Sequence, residues 1–160
     1  MRRAGAALAG VVGGVLLLSG CGAVVLPLAA VRLDASGAPE AVVRHCGDDL
    51  IQGLSLAGAP VDSEKNLSGW RVPGKRHGSD AGFPLFSPPA DWHAKAIGQQ
   101  RLVPAYTYQL AFGKAEFNYE YTGLVTFRAG ELARLKPGQV WADDRVMGRG
   151  EFEKLAADSC

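Results

Sequence analysis

Two short clusters in this 160-residue chain combine residue types that take part in chemistry. The first, His45-Cys46-Gly47-Asp48-Asp49, places an imidazole, a thiol and two carboxylates in five consecutive residues. Paired carboxylates in a tight turn offer oxygen ligands to a hard cation. We favour a solvated turn beside a disulfide, because Gly and Asp prefer turns and adjacent strand residues point to opposite faces.

The second cluster is Asp91-Trp92-His93. An Asp-x-His pair orients an imidazole as a general base, and His93 with His45 and His77 would supply three nitrogen ligands to zinc. The spacing of the three histidines matches no zinc signature, so we favour a buried Trp92 with polar neighbours at the surface. A small hydrolase or metal-dependent enzyme using Asp91 and His93 is the alternative hypothesis. The sequence predicts no catalytic residue, metal site or cofactor.

Four tyrosines share one parity in the second half of the chain: Tyr106, Tyr108, Tyr119 and Tyr121. Exposed on a sheet, they would form a platform for a glycan or for an apolar segment of a partner protein. Aromatic residues at alternate positions are equally typical of a sandwich core. We favour the core, because the opposite face of this hairpin has few apolar residues.

The chain contains no motif that identifies an enzyme family, such as Gly-x-Ser-x-Gly, His-Glu-x-x-His, Ser-x-x-Lys or a phosphate-binding glycine loop. Its charge is nearly balanced, with 17 Lys and Arg against 16 Asp and Glu. This balance provides no basic surplus to hold a phosphate backbone, so we expect no nucleic-acid partner.

The N-terminus has the parts of a secretory signal: a basic start at Arg2-Arg3, an uncharged apolar stretch over residues 4–18, and small residues at Ser19-Gly20. It ends in Leu18-Ser19-Gly20-Cys21, which resembles a bacterial lipobox. The resemblance implies that residues 1–20 are a signal peptide. It also implies that Cys21 receives a thioether-linked diacylglycerol and becomes the first residue of the mature chain.

Two alternatives for this segment stay open. No charged residue occurs over residues 4–31, a length that would allow an uncleaved membrane helix. In the other alternative, Cys21 is an ordinary disulfide cysteine. With either a lipid anchor or a helix, the positive-inside rule places the residues beyond Arg32 outside the cytoplasm.

Beyond the lipobox, the chain resembles in general style the small actinobacterial-type lipoproteins that have no assigned activity. The resemblance implies a lipid-anchored location on the outer face of the cytoplasmic membrane. The anchor, the modest size and the missing catalytic motif lead us to expect a non-enzymatic binding or envelope-associated module, whose partners are the membrane, through Cys21, and an envelope protein or glycan.

Lipidation of Cys21 would leave two of the three cysteines, Cys46 and Cys160. Outside the cytoplasm, an even pair predicts a disulfide. The alternative is a reactive Cys46 thiol beside His45.

The elements that position these residues are mainly strands. Apolar residues alternate with polar ones over residues 106–112 and 117–128, which predicts a hairpin connected through Gly113-Lys114-Ala115-Glu116. Residues 24–34, 40–46 and 50–57 predict three further strands in meander order. Lys136-Pro137-Gly138-Gln139 predicts a type II turn, and residues 151–157 a short amphipathic helix.

Residues 58–100 contain scattered prolines and predict a long loop, attached to the sheet by Trp70, Phe83, Phe86 and Trp92. A strand near residues 67–72 is the alternative within this segment. The predicted organisation is a signal peptide at 1–20, an anchored cysteine with a tether or first strand at 21–33, and one β-rich domain at 34–160. The predicted fold is mainly β: an antiparallel β-sandwich or curved antiparallel sheet with a short C-terminal helix.

Overall fold

The computed structural model describes residues 24–114 and 121–160, which form two β-sheets and two α-helices. The first sheet contains, in spatial order, β1 (Val24–Leu26), β10 (Tyr121–Arg128), β9 (Tyr106–Lys114), β4 (Leu50–Pro60), β5 (Ser68–Arg71) and β8 (Lys95–Gly98), with β6 (Lys75–His77) also paired to β4. The second contains β12 (Arg145–Gly148), β11 (Gln139–Ala142), β2 (Ala29–Leu33), β3 (Pro39–Val43) and β7 (Ala81–Pro84). The helices are α1 (Ala129–Leu132) and α2 (Arg149–Ser159), and a 3-10 helix spans Ala90–Trp92.

This arrangement confirms the predicted fold class, a mainly β, sandwich-like domain with a short C-terminal helix. Among the described strands, all pairings are antiparallel except that of β1 with β10. None of the helices within residues 24–114 and 121–160 has the length and hydropathy of a membrane span.

The two strands with the clearest alternation form the centre of the core. Leu110 of β9 pairs with Val125 of β10, and both side chains are buried, as are Phe112 and Phe127 on the same face. Successive strand residues point to opposite faces, so one parity fills the core. The two strands are confirmed, whereas residues 115–120 of the predicted hairpin lie outside the described residues.

The predicted three-strand meander is wrong. β3 pairs with β2 and β7 in the second sheet, whereas β4 pairs with β9, β5 and β6 in the first. Gly47, with a positive φ of 54°, lies in the turn where the chain crosses between the sheets. Alternation within a strand shows which side chains face the core, but not which sheet the strand joins.

The segment predicted as a long loop contains four short strands. Its aromatic residues attach it to the sheet as predicted: Trp70, Phe83 and Trp92 are buried in the core, and Phe86 is partly buried against it. The Trp70 indole N–H donates to the Leu85 carbonyl at 2.7 Å. β5 lies where the alternative strand near residues 67–72 was expected. Strands of three or four residues are too short to show a clear period, so the pattern did not indicate the other three.

The start of the described chain switches from one sheet to the other. β1 pairs with β10, the chain breaks at Pro27, and β2 then pairs with β3. Proline has no N–H to continue a strand ladder. Further along β10, beyond its pairing with β1, the Trp141 indole N–H donates to the Thr126 carbonyl at 2.8 Å. Trp141 of the second sheet therefore covers the edge of β10 at Thr126.

The C-terminal helix packs on the sandwich through one apolar stripe. Phe152 and Ala156 are buried, and α2 contacts β11 and β12. The predicted turn before β11 is also confirmed, because the Gln139 N–H donates to the Lys136 carbonyl at 3.0 Å and Gly138 has a φ of 82°.

Candidate functional site

The predicted disulfide between Cys46 and Cys160 is confirmed, with an S–S distance of 2.06 Å. It joins the segment just after β3 to the residue that follows α2. Cys46 therefore carries no free thiol in this form of the protein. The disulfide holds the helix against the second sheet at the same point where the chain crosses to the first.

A bidentate ion pair lies beside the disulfide. The Arg44 guanidinium donates from Nε to Glu153 Oε2 at 2.7 Å and from Nη2 to Oε1 at 2.5 Å. The hydrogen bonds from Arg44 hold the pKa of the Glu153 carboxyl below its ordinary value, and the pKa of Arg44 is raised in turn. Paired charge-assisted bonds of this kind fix orientation as well as distance, so they add a second link between β3 and α2.

His45 pairs with a carboxylate that sequence analysis did not identify. Its Nδ1 lies 2.9 Å from Asp80 Oδ1, just before β7. A carboxylate in this position orients an imidazole. The adjoining cavity, lined in part by Arg44, Glu153 and Cys160, has a volume of only about 160 Å³. This is well below the volume of ordinary small-molecule sites. The contacts of Arg44 with Glu153 and of His45 with Asp80 connect the segment around the disulfide to α2 and to the residue before β7.

Asp49 is turned away from His45 and binds other partners. Its Oδ2 accepts a hydrogen bond from the Tyr121 hydroxyl at 2.9 Å, and Lys114 Nζ lies 3.5 Å from Oδ1. Burial, followed by the bond to Asp49, raises the pKa of Tyr121 to about 12. The structure therefore distributes the cluster at residues 45–49 over separate contacts, and the favoured interpretation of a turn beside a disulfide is correct.

Asp91-Trp92-His93 also adopts the favoured arrangement, with Trp92 buried and its neighbours exposed. The Trp92 ring packs edge-on against Phe83 at 4.9 Å, and Arg76 Cζ lies 4.2 Å from its centroid. His93 has a φ of 51° and its backbone N–H donates to the Ala90 carbonyl, which ends the 3-10 helix.

Among the described residues, no hydrogen bond or ion pair joins Asp91 to His93. No group of three or more His, Cys, Asp or Glu side chains in residues 24–114 and 121–160 is placed to hold a metal ion. The hydrolase or metalloenzyme hypothesis stays a prediction.

The alternative in which the four tyrosines form an exposed platform is wrong for two of them. Tyr108 and Tyr121 are buried, so they cannot form an exposed binding surface. Tyr108 stacks on Phe127 at 5.6 Å, and its hydroxyl donates to the Arg101 carbonyl at 3.0 Å. Tyr106 is half-buried, and Tyr119 lies outside the described residues. Tyr108 and Tyr121 lie on the faces of β9 and β10 that point into the core, which explains their burial and agrees with the core interpretation.

An open depression of about 460 Å³, which no pattern in the sequence predicted, lies on the outer face of the first sheet. We call it the distal depression. Ala57 and Ala59 of β4 form its floor. Thr107, Gln109 and Arg128 lie along one side, and the remaining lining comes from the chain after β4: Pro60, Val61, Ser63, Glu64 and Asn66. The sequence feature that accompanies this depression is the alternation of large Leu with small Ser and Ala along β4. Small residues fit either face of a sheet, so the pattern did not indicate a concave surface.

No protein-family model matches this chain, and no curated protein or solved structure is detectably similar to it.

Proposed function

We propose that this chain is a lipid-anchored extracytoplasmic domain, attached to the membrane through Cys21, that binds a component of the cell envelope without catalysing a reaction. The observation that carries the proposal is the division of the three cysteines. Cys46 and Cys160 form the disulfide, which is typical of oxidising compartments. Cys21 is left at the end of the lipobox-like sequence.

The small sequence separation between Cys21 and the sandwich supports the same proposal. Cys21 lies outside the described residues, and Val24, three positions further on, already belongs to β1. A lipid on Cys21 would therefore hold the folded domain directly at the membrane surface. This arrangement suits a protein that acts on envelope components within reach of the bilayer.

Metabolic labelling with an alkyne analogue of palmitate tests the anchor. We expect label on the wild-type chain and none on Cys21→Ser. Cys160→Ser is the matched control, because it removes a cysteine of the disulfide and leaves Cys21 in place; it should keep the label. Label that persists on Cys21→Ser would contradict the proposal.

The distal depression is the surface that we propose for the bound component. An alanine floor bordered by the Gln109 amide and the Arg128 guanidinium combines an apolar base with hydrogen-bond donors. Sugar rings present apolar faces and hydroxyls, so this chemistry fits an envelope glycan.

Sedimentation with isolated cell-wall glycan tests the ligand. We expect Gln109→Ala and Arg128→Ala each to reduce the bound fraction at least fivefold, whereas Arg134→Ala, a change to an exposed arginine outside the depression, leaves it unchanged. Equal binding by all variants would refute a site in the depression. No binding by the wild type would refute a glycan ligand and favour an envelope protein.

A further inference from the structure

The strand directions define two ends of the first sheet. Val24 pairs with Tyr121, and Ile51 pairs with Lys114, so the starts of β1, β10 and β4 meet the end of β9. We call this the anchor end. At the opposite end of the sheet, Pro60 pairs with Tyr106.

Chain length limits how far the anchor end can lie from a lipid on Cys21. Three residue steps separate Cys21 from Val24. A fully extended chain spans at most about 3.6 Å per residue, which gives about 11 Å. β4, by contrast, is 11 residues long and spans about 35 Å at the usual strand rise. Only the anchor end can therefore reach the membrane surface while the opposite end stays free.

Exposed apolar side chains concentrate at this end. Five large hydrophobic residues are exposed in the described part of the chain, and three of them are Val24 (60%), Val25 (59%) and Leu50 (38%). β1 lies at the edge of the first sheet, so Val24 and Val25 have no neighbouring strand on their outer side among the described residues.

Charges near Leu50 have both signs. Asp48 is exposed just before β4, while Lys75 is exposed on β6, which pairs with the start of β4. Such a mixture gives no strong attraction to anionic lipids. The apolar side chains, rather than a basic patch, are the feature that suits a bilayer interface.

We infer that the anchor end rests on the phospholipid bilayer that holds the Cys21 lipid, with Val24, Val25 and Leu50 in contact with its interfacial region. The inference rests on the proposed function. The distal depression, bordered by Thr107 at the start of β9 and Arg128 at the end of β10, then lies near the end of the sheet that is far from the membrane.

Depth-dependent fluorescence quenching tests this orientation in the full-length chain. Leu50→Cys and Val61→Cys place one label at each end of β4, and both positions are exposed. With Cys46 and Cys160 in the disulfide and Cys21 acylated, the introduced cysteine is the reactive thiol. Each labelled protein is reconstituted into vesicles of zwitterionic phospholipid with a headgroup spin label. Thermal unfolding curves that match the wild type establish that each variant is folded.

We expect quenching at Leu50→Cys at least threefold stronger than at Val61→Cys, with little dependence on salt. Val24→Cys provides a second label at the anchor end and should resemble Leu50→Cys. Equal quenching at both ends of a chain that carries the Cys21 lipid would overturn the orientation and leave the anchor standing. A chain without lipid on Cys21 would overturn both proposals.

Discussion

Removing the disulfide should destabilise the whole domain. The bond joins residues separated by 114 positions, so it closes most of the described chain into one loop. The chain-entropy model assigns a loop of this length about 4.8 kcal/mol of unfolding free energy. Small domains have only about 5–15 kcal/mol in total. The variant Cys46→Ala with Cys160→Ala leaves no thiol from this pair and keeps the Arg44–Glu153 ion pair.

Urea unfolding of the oxidised wild type and this double variant measures the effect. We expect the unfolding free energy to fall by about 3–5 kcal/mol, since residual structure in the unfolded chain reduces the ideal value. Circular dichroism and tryptophan fluorescence should report the same midpoint, because Trp70 and Trp92 lie in the core. A loss below about 1 kcal/mol would refute loop closure as the source of stability. Separate transitions would show that the disulfide stabilises α2 alone.

Three further predictions concern single residues. Gly69→Ala should lower the free energy of unfolding by about 2–4 kcal/mol, because Gly69 has a φ of 127° and a Cβ would lie 2.0 Å from the Leu56 carbonyl oxygen. Gly150→Ala, in α2 with open space around it, is the control and should raise the free energy of unfolding by about 0.5 kcal/mol. Urea unfolding measures both. Tyr121 should make stability fall as pH rises from 10 to 12, since the unfolded chain loses this proton near pH 10 and the folded chain near 12; Tyr121→Phe should show a smaller fall in alkaline urea titrations. Glu153 has a lowered folded pKa, so its contribution exists above its ordinary value of 4.5 and disappears as pH falls through the folded value. Glu153→Gln should be less stable than the wild type at pH 7 and converge with it in acid; a constant difference across pH would refute the ion-pair account.

Local patterns in the sequence were sufficient for the central hairpin strands, the C-terminal helix and the Pro137-Gly138 turn. In each, the information lies within a few neighbouring residues: alternation, helical spacing or a proline next to a glycine. The cysteine pair followed from an expectation: if Cys21 is lipidated outside the cytoplasm, Cys46 and Cys160 are the one pair left.

Long-range placement was not predictable. The sequence of β4 does not determine whether this strand pairs with β3 or with β9, because either pairing would bury the same alternate side chains. The His45–Asp80 contact joins residues 35 positions apart, with no shared motif. The distal depression depends on how the chain after β4 folds back over small residues, which no local pattern records.

The most direct test of the account is mass spectrometry of the mature N-terminus. Trypsin should release a peptide that begins at Cys21 and ends at Arg32, the first basic residue after it, with the added mass of a thioether-linked diacylglycerol. That result would establish both cleavage and lipidation at the predicted site. An unmodified tryptic peptide over residues 4–32 would contradict the account and show that the chain keeps its apolar N-terminal segment.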